Sequence, residues 1–113
     1  MTDSVPAPGP IGCIRLAGRF DFSAFRRFRE SYQPLLADPG IREIRIDLDE
    51  VEFVDSAALG MLLLLREKAV ELGKRVSLAN CTPTVRQSLS LSNFDRLFDI
   101  LGREDEGREP ATP

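Results

Sequence analysis

The sequence predicts a single α/β domain: a small, mostly parallel or mixed sheet with its helices packed on one face. Three observations carry this expectation. Strand-like and helix-like segments alternate along the chain as strand, helix, strand, helix, strand, helix and short strand, the order of successive βα units. Glu43 to Leu48 places Ile44, Ile46 and Leu48 on one side and Glu43, Arg45 and Asp47 on the other. That period of two marks a strand with one apolar and one wet face, whereas a sheet covered by helices on both sides would carry continuous apolar strands. Third, 113 residues with 42% hydrophobic content suffice for one core and not for two.

Met1 to Pro10 holds Pro6, Pro8, Gly9 and Pro10 and reads as a flexible N-terminal arm. The domain is expected over residues 11–101. Ile11 to Ala17 reads as a strand closed by Gly18, after which Gly18 to Asp21 turns the chain toward a helix. Ser23 fits an N-cap. Phe25, Phe28, Tyr32 and Leu35 or Leu36 recur at helical spacing, with Arg26, Arg29, Glu30 and Gln33 opposite. Pro34 is expected to end or kink this helix near Gln33, and Asp38-Pro39-Gly40 forms a turn.

After the alternating strand, the stretch from Val51 to Leu72 begins as a strand end and becomes a long helix. Asp55-Ser56 lies at the changeover, and either side chain suits the N-cap. At about 100° per residue, Ala58, Met61, Leu62, Leu65, Ala69 and Leu72 share the arc expected to face the core. Glu67, Lys68 and Glu71 lie opposite. Leu59, Leu63 and Val70 form a flank toward which Ser56 points, one turn before Leu59 and Gly60. Two readings stay open. Either Ser56 is a cap and the leucines are the edge of the core, or a hydroxyl stands beside an apolar contact strip.

Gly73 fits the C′ position of the long helix. Arg75 to Ala79 reads as a short strand with Val76 and Leu78 inward. Thr82-Pro83 supplies a cap and a first-turn proline for a helix that buries Val85 and Leu89 and ends at Asn93. Phe94, Leu97 and Phe98 are expected to pack, and Phe98 to Leu101 to add an edge strand. Residues 102–113 (GREDEGREPATP) are charged and nearly free of apolar side chains, so they read as a disordered tail.

A net charge of −3 and a pI near 5.0 give no electrostatic reason to expect nucleic acid or an anionic membrane. Arg26, Arg27 and Arg29 are interleaved with Phe25 and Phe28 and read as a solvated helix face. With no histidine and no paired cysteines, a His/Cys zinc site is not expected, nor is any other cofactor. Cys13 and Cys81 read as small core residues of a reduced, cytoplasmic protein. No leader or apolar run of about 18 residues is present, so no direct membrane insertion is expected. Asp21, Asp55 and Ser56 are the only candidate reactive groups expected to converge. Without a histidine base or a phosphate-cradling glycine loop they do not make an enzyme.

Asp47 to Gly60 (DLDEVEFVDSAALG) resembles the signature of STAS domains, the anti-sigma factor antagonists, which typically reads D-L-x-x-V-x-F-x-D-S-S-G-L-G. The resemblance continues through Gly73, the strand Val76 to Asn80, Thr82-Pro83-x-Val85-Arg86, and Phe94 to Ile100. The second serine and the glycine of the pattern are Ala57 and Ala58 here. The resemblance implies that Ser56 is phosphorylated and that Asp21, Asp55, Ser56, Leu59, Gly60 and Leu63 meet a partner. It implies further that the unphosphorylated protein binds an anti-sigma factor or a serine kinase of the histidine-kinase-like ATPase type, and that a PP2C-type phosphatase restores the serine. The alternative is a STAS accessory subunit that binds the ATPase of a membrane lipid transporter; a small-ligand or nucleotide-binding domain is a weaker third reading. STAS domains often finish with another helix, for which residues 102–113 show no pattern.

Overall fold

The computed structural model of the chain describes residues 10–101; the arm before Pro10 and the tail from Gly102 onward lie outside the described residues. The chain runs β1 (Ile11–Phe20), a 3₁₀ turn (Phe22–Ala24), α1 (Phe25–Ala37), β2 (Glu43–Val54), α2 (Ser56–Glu71), β3 (Arg75–Ala79), α3 (Pro83–Leu91), a second 3₁₀ turn (Phe94–Arg96) and β4 (Asp99–Leu101). The four strands form one parallel sheet in the order β1-β2-β3-β4. Ile14, Ile46, Leu78 and Ile100 stand abreast in that register, and all four meet Phe28, Tyr32, Leu62, Leu65, Val85 and Leu89 from the three helices in one core. The expected α/β architecture, with its helices on one face of a small sheet, is therefore the observed one.

Each connection follows from local chemistry. Thr82 caps α3, its Oγ1 accepting from the Val85 N–H at 3.4 Å while donating to the Val51 carbonyl at 3.3 Å, and Pro83 occupies the first turn. Gly73, at φ +74°, ends α2. The Lys74 N–H donates to the Ala69 carbonyl at 2.8 Å and the Gly73 N–H to the Val70 carbonyl at 3.0 Å, the pair of bonds that a left-handed C′ residue permits. Lys74 is itself buried, and its Nζ donates to the carbonyls of Asp38 and Ile41 at 2.7 and 2.6 Å. It thereby pins the turn before β2 to the start of β3. Phe28 lies edge-on to both Phe20 and Tyr32 at 5.2 Å, which seats α1 on the end of β1.

Several local expectations are corrected. Gly18 does not close β1; at φ +73° it sits at a register shift between Gly18 and Arg19, so its conformational freedom serves a bulge and the strand continues to Phe20. Ser23 does not cap α1. The cap lies earlier, at Asp21 of the 3₁₀ turn, and Ala24 before α1 makes no side-chain cap bond. Pro34 lies inside α1, which continues to Ala37; the proline is exposed and so is Glu30, whose carbonyl water can satisfy. Phe25 and Leu97, expected to pack, are 44% and 39% exposed, and Leu72 is 55% exposed, because it is the C-cap where the chain already leaves α2. Cys13 is exposed on β1 rather than buried like Cys81; burial pushes both thiols up, with Asp47 adding to the effect at Cys13.

The face of the sheet away from the helices is not uniformly wet. Glu43 and Ser77 are both buried there. The Ser77 hydroxyl donates to Glu43 Oε2 at 2.7 Å, and the Arg45 and Arg75 guanidinium groups each reach the carboxylate at 3.1 Å. Burial alone would raise the Glu43 pKa, but the bonds from Ser77, Arg75 and Arg45 together outweigh it and hold the carboxyl below the usual glutamate value. A group whose pKa falls on folding stabilises the fold fully above its unfolded pKa, about 4.3 for glutamate, and loses that contribution as pH drops through the folded value. Glu43→Gln is therefore expected to flatten the acid limb of the stability curve below about pH 5, measured by urea unfolding at stepped pH.

Candidate functional site

β1 and β2 run parallel and end together, with Phe20 beside Val54; the Asp55 N–H donates to the Phe20 carbonyl at 3.4 Å. Each strand then leaves the sheet through an aspartate that caps the helical turn behind it. Asp21 Oδ1 accepts from the Ser23 hydroxyl at 2.6 Å and the Ser23 N–H at 3.0 Å, and Arg19 Nε approaches Oδ2 at 3.4 Å. The Ser23 hydroxyl, followed by its N–H and by Arg19, holds the Asp21 carboxyl below its ordinary value. Arg19 also lies over the Phe53 ring at 4.2 Å. Asp55 Oδ1 accepts from the Ala58 N–H at 2.8 Å.

The changeover is thus decided: Asp55 is the N-cap of α2 and Ser56 is its first residue. Ser56 is exposed, and its hydroxyl makes no hydrogen bond among the described residues. Asp55→Ala is expected to cost about 1 kcal/mol, the value of a lost cap, whereas Ser56→Ala is expected to stay within about 0.5 kcal/mol, as at ordinary surface positions. Chemical denaturation of the two variants checks this order.

Asp21 and Asp55 stand at one end of the sheet, where β1 and β2 finish, but among the described residues the Asp21 side chain bonds only to Arg19 and Ser23 and neither carboxylate accepts from Ser56. The site consequently holds no nucleophile–base pair among the described residues. Among the described residues no group of three or more His, Cys, Asp or Glu side chains converges as metal ligands. No described helix is long and apolar enough to cross a membrane.

The apolar surface beside Ser56 lies partly elsewhere than expected. Leu59 and Leu63 are half-buried and pack against the core, so they offer only their outer edges. Gly60 is exposed. On its other side Leu64, 38% exposed, faces Phe22 and Phe25, which are 72% and 44% exposed. With Ala57, Gly60 and Met61 these three line an open apolar groove between the start of α1 and the first two turns of α2. Sequence periodicity does not mark Phe22, Phe25 and Leu64 as surface residues. The available signal was position: Phe22 directly follows a capping aspartate, and Leu64 lies two turns after Ser56, about 80° around the helix.

Residues 5–102 match the family model described as Mlab, STAS domain. A STAS-domain containing protein of Pseudomonas aeruginosa (strain UCBPP-PA14) is 47% identical over 94 residues, which are 83% of this chain and 91% of the relative. The solved structure of the anti-sigma factor antagonist SpoIIAA in its unphosphorylated form superposes with a TM-score of 0.70 at 22% identity, covering 90% of this chain and 89% of that one. A sulfate transporter family protein from Wolinella succinogenes superposes with a TM-score of 0.73 at 14% identity, over 89% and 84% of the two chains. The two structural likenesses speak for a shared fold, while the family model spans all of the described residues. The chain belongs to the STAS domain family.

Proposed function

We propose that this protein is a non-enzymatic partner switch in the cytoplasm, an anti-sigma factor antagonist controlled at Ser56. The carrying observation is the exposed, unbonded Ser56 hydroxyl on the first residue of a rigid, capped helix. In the unphosphorylated state Asp21, Asp55, Ser56, Gly60 and the outer edges of Leu59 and Leu63 meet an anti-sigma factor or a serine kinase of the histidine-kinase-like ATPase type. The kinase transfers the γ-phosphoryl group of ATP to Ser56 Oγ, and the hydroxyl proton goes to the kinase's own base. A PP2C-type phosphatase hydrolyses the phosphoester and restores the serine.

The location suits such a switch. A phosphate at a helix N-terminus meets the positive end of the dipole and free N–H groups, so the fold tolerates it. The same dianion is costly against an apolar or acidic partner surface.

A second reading is an accessory subunit bound to the ATPase of a membrane lipid transporter; STAS domains of sulfate transporters share this fold. Affinity capture from native lysate with unmodified protein and with phosphoserine at position 56 separates the two. The switch predicts a kinase or sigma regulator on the unmodified bait that is depleted on the phosphorylated one. A transporter ATPase on both baits would overturn it.

A further inference from the structure

β1 is the outermost strand on one side of the sheet, and among the described residues no strand pairs with its outer edge. It is ten residues long, so a row of its N–H and C=O groups faces outward. A cleft of about 270 Å³ follows this edge, between the second half of β1 and the start of α1. Side chains from both faces of the strand line it: Leu16 and Phe20 from the helix-covered face, Arg15, Ala17 and Arg19 from the open one. No β2 residue does, so the cleft wraps the outer edge and not the interior of the sheet. Arg27 stands on the α1 wall.

The lining thus holds three guanidinium groups and no carboxylate. Arg15 and Arg19 approach Asp47 and Asp21 through Nε, at 3.7 and 3.4 Å, longer than the 2.7–2.9 Å or so of a close charge-assisted bond. Their terminal amino groups make no hydrogen bond among the described residues. The ring of Phe53, 4.2 Å from the Arg19 guanidinium, holds it in place. The Arg27 side chain has neither a hydrogen bond nor an ion pair among the described residues. Glu30, one turn after Arg27, and Glu50, the register partner of Ala17, are exposed and line no part of the cleft; in water their charges are screened. The register of β1 on β2 is unbroken from Ile11 to Arg15 and shifts twice between Arg15 and Arg19, so regular pairing belongs to the first stretch and the arginines flank the irregular one.

We propose that this edge takes up an extended, acidic segment of a partner protein, which adds a strand along Ile11 to Arg15 and sets its carboxylates against Arg15, Arg19 and Arg27. Strand addition draws affinity from main-chain bonds and specificity from side chains. Charge selects the occupant. A second copy paired through the same edge would bring arginines against arginines, and a basic segment is excluded in the same way. Arg27 lies about 200° around α1 from Phe25, so this surface is separate from the groove beside Ser56 and gives the domain a second point of attachment.

The test is a display library of random peptides selected on the full chain, with the winners made synthetically and their affinities read by fluorescence anisotropy. The expected winners carry clustered Asp and Glu. They should lose at least about tenfold in affinity on Arg27→Glu, a change that leaves the thermal midpoint unaltered, and recover when a peptide acid is changed to Lys. Methylating successive peptide nitrogens should weaken binding at every second position, because alternate N–H groups of an added strand face β1. Failure to select binders, winners without acidic enrichment, winners indifferent to Arg27→Glu, or a methylation scan without alternation would overturn the proposal. A synthetic peptide of residues 102–113 that binds more tightly than the winners, with the same dependence on Arg27, would assign the edge to the chain's own tail. Dimers of the full chain that dissociate on Arg27→Glu would assign it to a second copy, and either result would overturn the assignment to a partner.

Discussion

Placing a phosphate on Ser56 is expected to weaken partner binding by on the order of a hundredfold while leaving the fold unchanged. A dianion brought against an apolar or acidic surface incurs a penalty of roughly 3 kcal/mol, and each 1.4 kcal/mol is about tenfold in affinity. The fold is spared because Ser56 is exposed and unbonded and Asp55 supplies the cap. Ser56→Asp, with a single carboxylate, is expected to give a smaller loss, about tenfold. Ser56→Asn, similar in size but neutral, is expected to bind like the wild type. Titration calorimetry against the captured partner reads all three, and a loss on Ser56→Asn as large as on phosphorylation would assign the effect to shape instead of charge.

The second large effect separates core from contact surface within one helix. Leu62 is 1% exposed and lies in the core, whereas Leu64, two residues on, is 38% exposed on the groove. Leu62→Ala is expected to destabilise by about 2–5 kcal/mol, through lost burial and the cavity left behind. Leu64→Ala is expected to cost under about 1 kcal/mol in stability and to act mainly by raising the partner's dissociation rate. Equal destabilisation by the two substitutions would place Leu64 in the core and remove the groove from the binding surface.

Periodicity made the fold legible. The period of two over Glu43 to Leu48 and the helical spacing from Ala58 to Ala69 are each enforced by burial on one side, so they are written in local sequence. What stayed hidden depended on partners far along the chain. Glu43 is buried through bonds to Arg75 and Ser77, 32 and 34 residues away, and alternation alone marks it as a wet position. The run from Met61 to Leu65 contains no polar residue to mark where the core arc ends. Its outer side meets Phe22 and Phe25, which come from the 3₁₀ turn and the start of α1. At Asp55-Ser56 both side chains have the chemistry of a cap, and only the backbone geometry chose the aspartate and released the serine. The glycine at position 18 signals a left-handed residue, which a turn and a bulge require equally.

The central claim is that Ser56 is the switch. It is tested most directly by incubating the protein with its captured kinase and ATP, followed by intact mass measurement and peptide mapping. One phosphate per chain located on Ser56, absent from Ser56→Ala and removed by a PP2C-type phosphatase, is the predicted result. Stoichiometric phosphate on Ser23, Ser77 or Thr82 with Ser56 unmodified would contradict it.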